Sequence, residues 1–384
     1  MIKIEIDQSI RETIEKFHWE WFLGKVKTII RLPRRKITRK KYLCEILKID
    51  ENNFETEVRP YILGQIEDIK LLISKNANLK GITKKKNLTK DEKTITKRTE
   101  RLLEAFSYDD FDNRNKTTWG AYELCKFLKI NVCPYCNRQY IFTVRDEDRD
   151  CITRPEMDHF YPKSIYPFLS INLYNLIPSC HICNQKKSDK DNHIIYPYEG
   201  GFGRDILFKA RYKDIPEKSS ILDTSNVHIY FKERQYDVLE TGKCIHNKCY
   251  QARKSIETFH LEDIYNEHKL DLQDLFTRYR NYSDPKIDEI TKLILNEKLN
   301  LDESGLSEDD KTKLYQKIAK TYTKRIRNTI LGLPLGAGDK QYPLRKFKED
   351  IIEQLDKTTK KMKEQVQTAN TSQVQIPPPP DPIA

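Results

Sequence analysis

The stretch that decides this chain reads CPYC at 133–136, EMDHFYPKS at 156–164 and NLYNLIPSCHICNQKK at 172–187. Two Cys-x-x-Cys turns, Cys133/Cys136 and Cys180/Cys183, bracket an Asp158–His159 pair, and Asn184 directly follows the last cysteine. A C-x2-C turn places two thiolates on one edge of a tetrahedron, and two such turns close a zinc site. Redox dithiols and chance are the competing explanations. The other five cysteines (Cys44, Cys125, Cys151, Cys244, Cys249) form no further C-x2-C, which weighs against chance. A disulfide framework does not suit a chain of 384 residues with nine cysteines and no export signal. All four ligands are supplied and no position stays open for substrate. The expected Zn2+ is therefore structural and not the catalyst.

Inside this box the residue types suit cleavage of a phosphodiester. That reaction needs an activated water, neutralisation of charge on the phosphorane and stabilisation of the leaving oxygen. Imidazole, with an ordinary pKa near 6.5, is a suitable base at cellular pH. A hard divalent cation held through oxygens acts as a Lewis acid on phosphate. Taken singly, an Asp-His dipeptide is usually a surface pair, and an Asn after a knuckle is often a helix cap. Their order inside one zinc box is what gives them weight.

Three elements occur in sequence: Asp158-His159-x-x-Pro162, then Asn175-Leu176-x-x-x-Cys180, then Cys183-Asn184-x-x-Lys187. On these residues the segment resembles the HNH, or ββα-metal, nuclease family in its zinc-knuckle form. The same order is similar to HNH effectors of bacterial defence systems of the Septu and retron-associated type. The resemblance implies an endonuclease with His159 as general base and Asn175 as its catalytic companion, tying the loop that aims the imidazole. It implies Mg2+ or Mn2+ held by Asp158 and Asn184, with Lys163, Lys186 and Lys187 meeting phosphate oxygens. Many HNH sites carry histidine where this chain has Asn184 or Ser188. Losing imidazole ligands shifts metal preference toward magnesium or manganese. His181 is expected to be a bystander and His193 a loop residue. The cluster Cys244, His246 and Cys249 offers three ligands of mixed spacing and reads as a turn entering a helix rather than a metal site.

Outside the segment the chain is 33% charged and 38% hydrophobic, with 12 glycines and a net charge of +11. Scarce glycine argues against a large all-β fold. No stretch approaches 18 consecutive apolar residues, so a membrane protein is not expected, and the reduced cysteines suggest the cytoplasm. Residues 1–125 read as helical, with Ile10, Ile14 and Phe17 at helical spacing and Leu102, Leu103 and Phe106 repeating the pattern. Basic runs at 31–41 and 80–97 suggest, respectively, a phosphate-tracking surface and a solvated linker. A helix over 119–128 leads into the first knuckle. Strands are predicted at 139–144 and 155–159, joined by a hairpin over 145–154, with a helix opening near Cys183. Strands at 206–212 and 227–232 are expected to add a small sheet to that core. Beyond Tyr250 the pattern is helical. Leu314, Ile318, Tyr322 and Ile326 follow a Ser307–Asp310 cap, and Phe347, Ile351 and Leu355 repeat the spacing.

The expected fold is α+β and mostly α: a zinc-stabilised ββα-metal core between helical regions. The expected divisions are 1–125 (helical, basic), 126–245 (nuclease core), 246–366 (helical) and 367–384 (a disordered, Pro-rich tail). DNA is the favoured substrate. The alternatives are an RNA- or tRNA-cleaving effector and a zinc-knuckle nucleic-acid binder without catalysis. The helical flanks carry no recognisable base-reading module, which suggests control by an ATPase or other sensor subunit.

Overall fold

Helical periodicity near the start becomes α1 (Gln8–Val26), whose buried side runs Ile14, His18, Phe22 and Val26. Phe17, expected on that side, is instead 38% exposed and leans on Trp119 and Phe127. The structure is a computed structural model describing residues 1–32, 35–81, 87–112, 119–145, 151–189, 193–212, 224–233, 242–299, 307–333 and 341–372.

A polar residue such as His18 can hold a core position only if its ring nitrogens are paired. The Trp119 indole donates to Nδ1 at 3.0 Å, and Nε2 lies 2.7 Å from the Ile171 carbonyl. Burial pushes the His18 pKa down to about 4. In the unfolded chain the imidazole binds its proton near 6.5, so between those values the unfolded state holds more protons. The neutral ring therefore contributes stability that is complete above pH 6.5 and is lost as pH falls toward 4, roughly 3 kcal/mol in all. Denaturant titrations at several pH values should show this slope, and His18→Gln should flatten it.

The chain forms two compact units, the first comprising Met1–Asp205, Gln235–Leu261 and Gly338–Pro343. After α1 the first basic run folds as an antiparallel hairpin, β1 (Ile29–Leu32) with β2 (Arg35–Thr38), and continues into α2 (Arg39–Leu47). The Thr38 hydroxyl caps α2 by accepting from the Lys41 amide. Three helices, α3 (Phe54–Leu63), α4 (Ile66–Lys75) and α5 (Lys90–Phe106), follow. A Thr89/Glu92 capping box starts α5, so the end of the second basic run is helix and not linker. Its middle, 82–86, lies outside the described residues. Next come α6 (Tyr108–Asp112) and α7 (Ala121–Leu128).

The expected strand at 139–144 shrinks to a Val132–Tyr140 bridge and β3 (Val144–Arg145), which pairs with β4 (Cys151–Thr153). Its alternation is real, but Tyr140, Phe142 and Val144 are exposed, and of its apolar side chains Ile141 is the buried one. The pair that matters is β5 (Glu156–His159) with β6 (Leu176–Ser179), antiparallel with Asp158 opposite Ile177 and His159 opposite Leu176. α8 (His181–Lys187) follows at once and packs on β5. Cys244, His246 and Cys249 fall within α9 (Gly242–Phe259).

The second unit comprises Ile206–Arg234, Glu262–Ala337 and Leu344–Ala384. Its hairpin, β7 (Ile206–Tyr212) with β8 (Val227–Glu233), matches the predicted strands, but it belongs to this unit and not to the knuckle core. Most of α10 (Leu261–Asn266) lies in this unit, as do α11 (Lys269–Asn281), α12 (Asp284–Leu299), α13 (Glu308–Ile330) and α14 (Arg345–Ser372). The Ser307 hydroxyl caps α13 by accepting from Asp310, and Phe347 and Ile351 bury one side of α14 against the hairpin. α14 runs to Ser372, into the stretch expected to be tail, while 373–384 lie outside the described residues. The architecture is thus α+β and mostly helical. Among the described residues no helix is long and apolar enough to cross a membrane.

Candidate metal and hydrolytic site

The first knuckle is a tight turn. The Asn137 amide donates to the Cys133 carbonyl at 2.8 Å, and Asn137 adopts a left-handed conformation (φ 51°). The second knuckle opens α8, where the Cys180 sulfur accepts from the Cys183 amide at 3.5 Å. The Sγ atoms of Cys133, Cys136, Cys180 and Cys183 are buried and lie within 4.8 Å of one another. This is the donor set of a closed tetrathiolate site and it fits Zn2+.

β5 carries Glu156, Asp158 and His159 to one cavity of about 470 Å³, lined also by Lys163, Asn184 and Tyr108. The His159 Nε2 lies 2.8 Å from the Ser170 carbonyl. A carbonyl only accepts, so Nε2 carries the proton and Nδ1 keeps its lone pair. The ring stands edge-on to Tyr108 at 4.4 Å between centroids. Burial, then the positive charge of Lys163, pull the His159 pKa down to about 3, far below the ordinary value the sequence suggests. The imidazole is therefore neutral.

Asn175 is fully buried and clamps the loop that follows His159. Its Oδ1 accepts from the Tyr161 amide at 2.7 Å, while Nδ2 donates to the Tyr161 and Leu169 carbonyls, both at 3.0 Å. Asn172 adds a second tie, donating to the Pro60 and Gly64 carbonyls. Ser170 is thereby held where His159 needs its acceptor.

Asp158 is buried, with one oxygen bonded by the Tyr135 hydroxyl at 2.5 Å and the other by the Lys187 ammonium at 3.1 Å. Lys187 also donates to the His159 carbonyl at 2.7 Å and is 1% exposed. Expected at a phosphate, Lys187 is instead a buried counter-ion, because its helix lies directly across β5. Lys186 is exposed on α8, and Lys163 places its ammonium 4.0 Å from the Tyr108 ring centroid in the cavity wall.

The Asn184 amide nitrogen donates to Glu156 at 2.8 Å, which leaves its carbonyl oxygen free to accept. Burial pushes the Glu156 carboxyl up, but hydrogen bonds from Asn184 and His181 outweigh it and hold the group below its usual range. Sequence reasoning missed Glu156, although its i, i+2 spacing to Asp158 on one strand was the available signal. His181, expected as a bystander, pairs with Glu156 at 2.6 Å, whereas His193 is an exposed loop residue. Tyr135, hidden inside CPYC, gave no signal.

No protein-family model matches the chain, and no solved structure matches it. Over 92 residues the chain is 35% identical to the Septu protein PtuB of Bacillus thuringiensis, covering 23% of this chain and 33% of that protein. Over 116 residues it is 26% identical to protein ea31 of Escherichia phage lambda, covering 29% of this chain and 34% of that one. The matches span about a third of the length of these curated relatives, so the chain is distantly similar to a Septu protein over part of its length.

Proposed function

We propose that this protein is a metal-dependent endonuclease that hydrolyses phosphodiester bonds of DNA and acts as an effector in bacterial defence against phage. The observation that carries the reading is the single cavity shared by Asp158, His159 and Asn184 beside the four-cysteine cluster. The similarity to a Septu protein supports the defence role, and the net charge of +11 supports a polyanionic substrate. A sensor or ATPase subunit is the expected partner.

The oxygen donors suit Mg2+ or Mn2+. Asp158 has about four lone-pair sites, of which Tyr135 and Lys187 engage two, and the Asn184 carbonyl is a neutral donor. Among the described residues, the cysteines are the only group of three or more His, Cys, Asp or Glu side chains able to hold a metal. With Asp158 and Asn184 as its protein ligands, water and phosphate would complete the shell of a hard metal. Such a cation would supply Lewis-acid stabilisation of charge on the phosphate and leaving oxygen.

The chain's own residues do the proton work. His159 is neutral, its Nε2–H is fixed on Ser170, and Nδ1 is the atom that takes a proton from the attacking water. A base with a pKa of about 3 is weak. Phosphate entering beside Lys163 would offset that positive charge and raise the proton affinity of the ring, so substrate itself would tune the base. Lys163 and the exposed Lys186 meet the backbone phosphates.

Purified protein incubated with supercoiled plasmid, single-stranded DNA and total RNA should cut plasmid only with added Mg2+ or Mn2+. EDTA should stop cleavage while the zinc stays bound. Asp158→Asn should abolish cutting with unchanged zinc content. It is the cleaner variant, because asparagine keeps an oxygen for Lys187, whereas alanine would leave that buried ammonium only the His159 carbonyl. Full activity in metal-free buffer would overturn the reading, and cleavage of RNA alone would redirect it to an RNase effector.

A further inference from the structure

The Asp158 carboxylate is gripped from behind by two donors, and each donor belongs to a different zinc knuckle. Tyr135 lies between Cys133 and Cys136, and its ring stacks on Phe259 at 4.7 Å with the planes 23° apart. Lys187 sits on α8, four residues past Cys183, on the helix that Cys180 caps. Both side chains are essentially inaccessible to solvent, and neither lines the cavity that Asp158 lines. A buried hydroxyl and a buried ammonium that converge on the two oxygens of one carboxylate leave it a single orientation.

We propose that Tyr135 and Lys187 are positioning residues that transmit the geometry of the zinc box to Asp158, so that the knuckles set the oxygen-donor site as well as the fold. This rests on the nuclease reading above. The mechanism is orientation: the donors hold the carboxylate aimed, as hydrogen-bond partners of metal ligands do elsewhere, where their loss costs about 10- to 100-fold in metal affinity or activity. Removing only the Tyr135 hydroxyl keeps the stack on Phe259.

The test measures Mn2+ binding by the electron paramagnetic resonance of free Mn2+, alongside zinc content, using the full chain. Tyr135→Phe should bind Mn2+ at least about tenfold more weakly than wild type, with one zinc per chain retained. Lys187→Met should shift affinity in the same direction; if that variant fails to fold, Tyr135→Phe alone decides. A tyrosine that merely filled the core would leave Mn2+ affinity unchanged when its hydroxyl is lost. If Tyr135→Phe binds Mn2+ as wild type does while Asp158→Asn does not, the positioning role is overturned and the nuclease site stands. If Asp158→Asn also binds as wild type does, the oxygen-donor site itself is wrong and both readings fall.

Discussion

Replacing His159 with alanine should slow cleavage by at least about a hundredfold, the low end of what a positioned general base contributes. Nucleic-acid binding should persist, because the zinc box, Asp158, Asn184 and the basic surface are untouched. Its salt dependence should match wild type, since phosphate contacts set that slope. The effect should fall on the chemical step, measured as single-turnover rate at saturating substrate. His159 is buried, so zinc content and the unfolding midpoint must be compared in parallel to separate lost chemistry from lost fold. In cells, a wild type that is toxic or restricts phage should become harmless with this change. A variant that cuts as well as wild type would remove His159 from the mechanism. A wild type that binds DNA and RNA but cuts neither, with any metal and with its neighbouring gene product added, would leave the binding-module reading.

Cys180→Ser is expected to have an even larger effect, on the fold itself. Structural zinc in small domains contributes about 10–16 kcal/mol of apparent binding energy, while whole domains are stable by only about 5–15 kcal/mol. Three remaining thiols cannot retain the ion at that strength, and Cys180 also caps α8, which carries Lys187 and Asn184. Serine can still cap the helix, so failure of the variant isolates the loss of the metal ligand. Purified wild type should contain about one zinc per chain. The variant should lose it, aggregate, and expose the 133–187 segment to protease. A folded, active Cys180→Ser protein would disprove the structural zinc.

Local patterns were legible in the sequence and tertiary partners were not. The two knuckles, the strand ending at His159, the strands predicted at 206–212 and 227–232, and the Ser307 cap of α13 each depend on residues a few positions apart. Spacing alone conveys such features. Lys187 looked like a phosphate ligand because its burial follows only from the crossing of α8 over β5. Tyr135 stayed invisible for the same reason, and the role of Glu156 was hidden beyond its i, i+2 spacing to Asp158: each acts through a partner more than twenty residues away. The 139–144 stretch misled in the opposite way. Its alternation marks an exposed apolar face, whereas alternation normally signals a face turned to the core. Nothing local announces the buried place of His18, whose acceptor at Ile171 lies 153 residues on.

The polypeptide passes between its two compact units several times: it leaves the first after Asp205, returns for Gln235–Leu261, and returns again for Gly338–Pro343. The last visit is anchored, since Gln341 bonds both the Lys129 carbonyl and the Asn131 side chain. Neither unit is therefore a continuous stretch of gene. No single stop codon yields the zinc-knuckle unit by itself, and recombination between related genes cannot exchange that unit alone as a cassette with one crossover on each side. Swaps between homologues would have to keep three separate segments together, so diversification in this protein should proceed by point substitution and loop insertion rather than by shuffling.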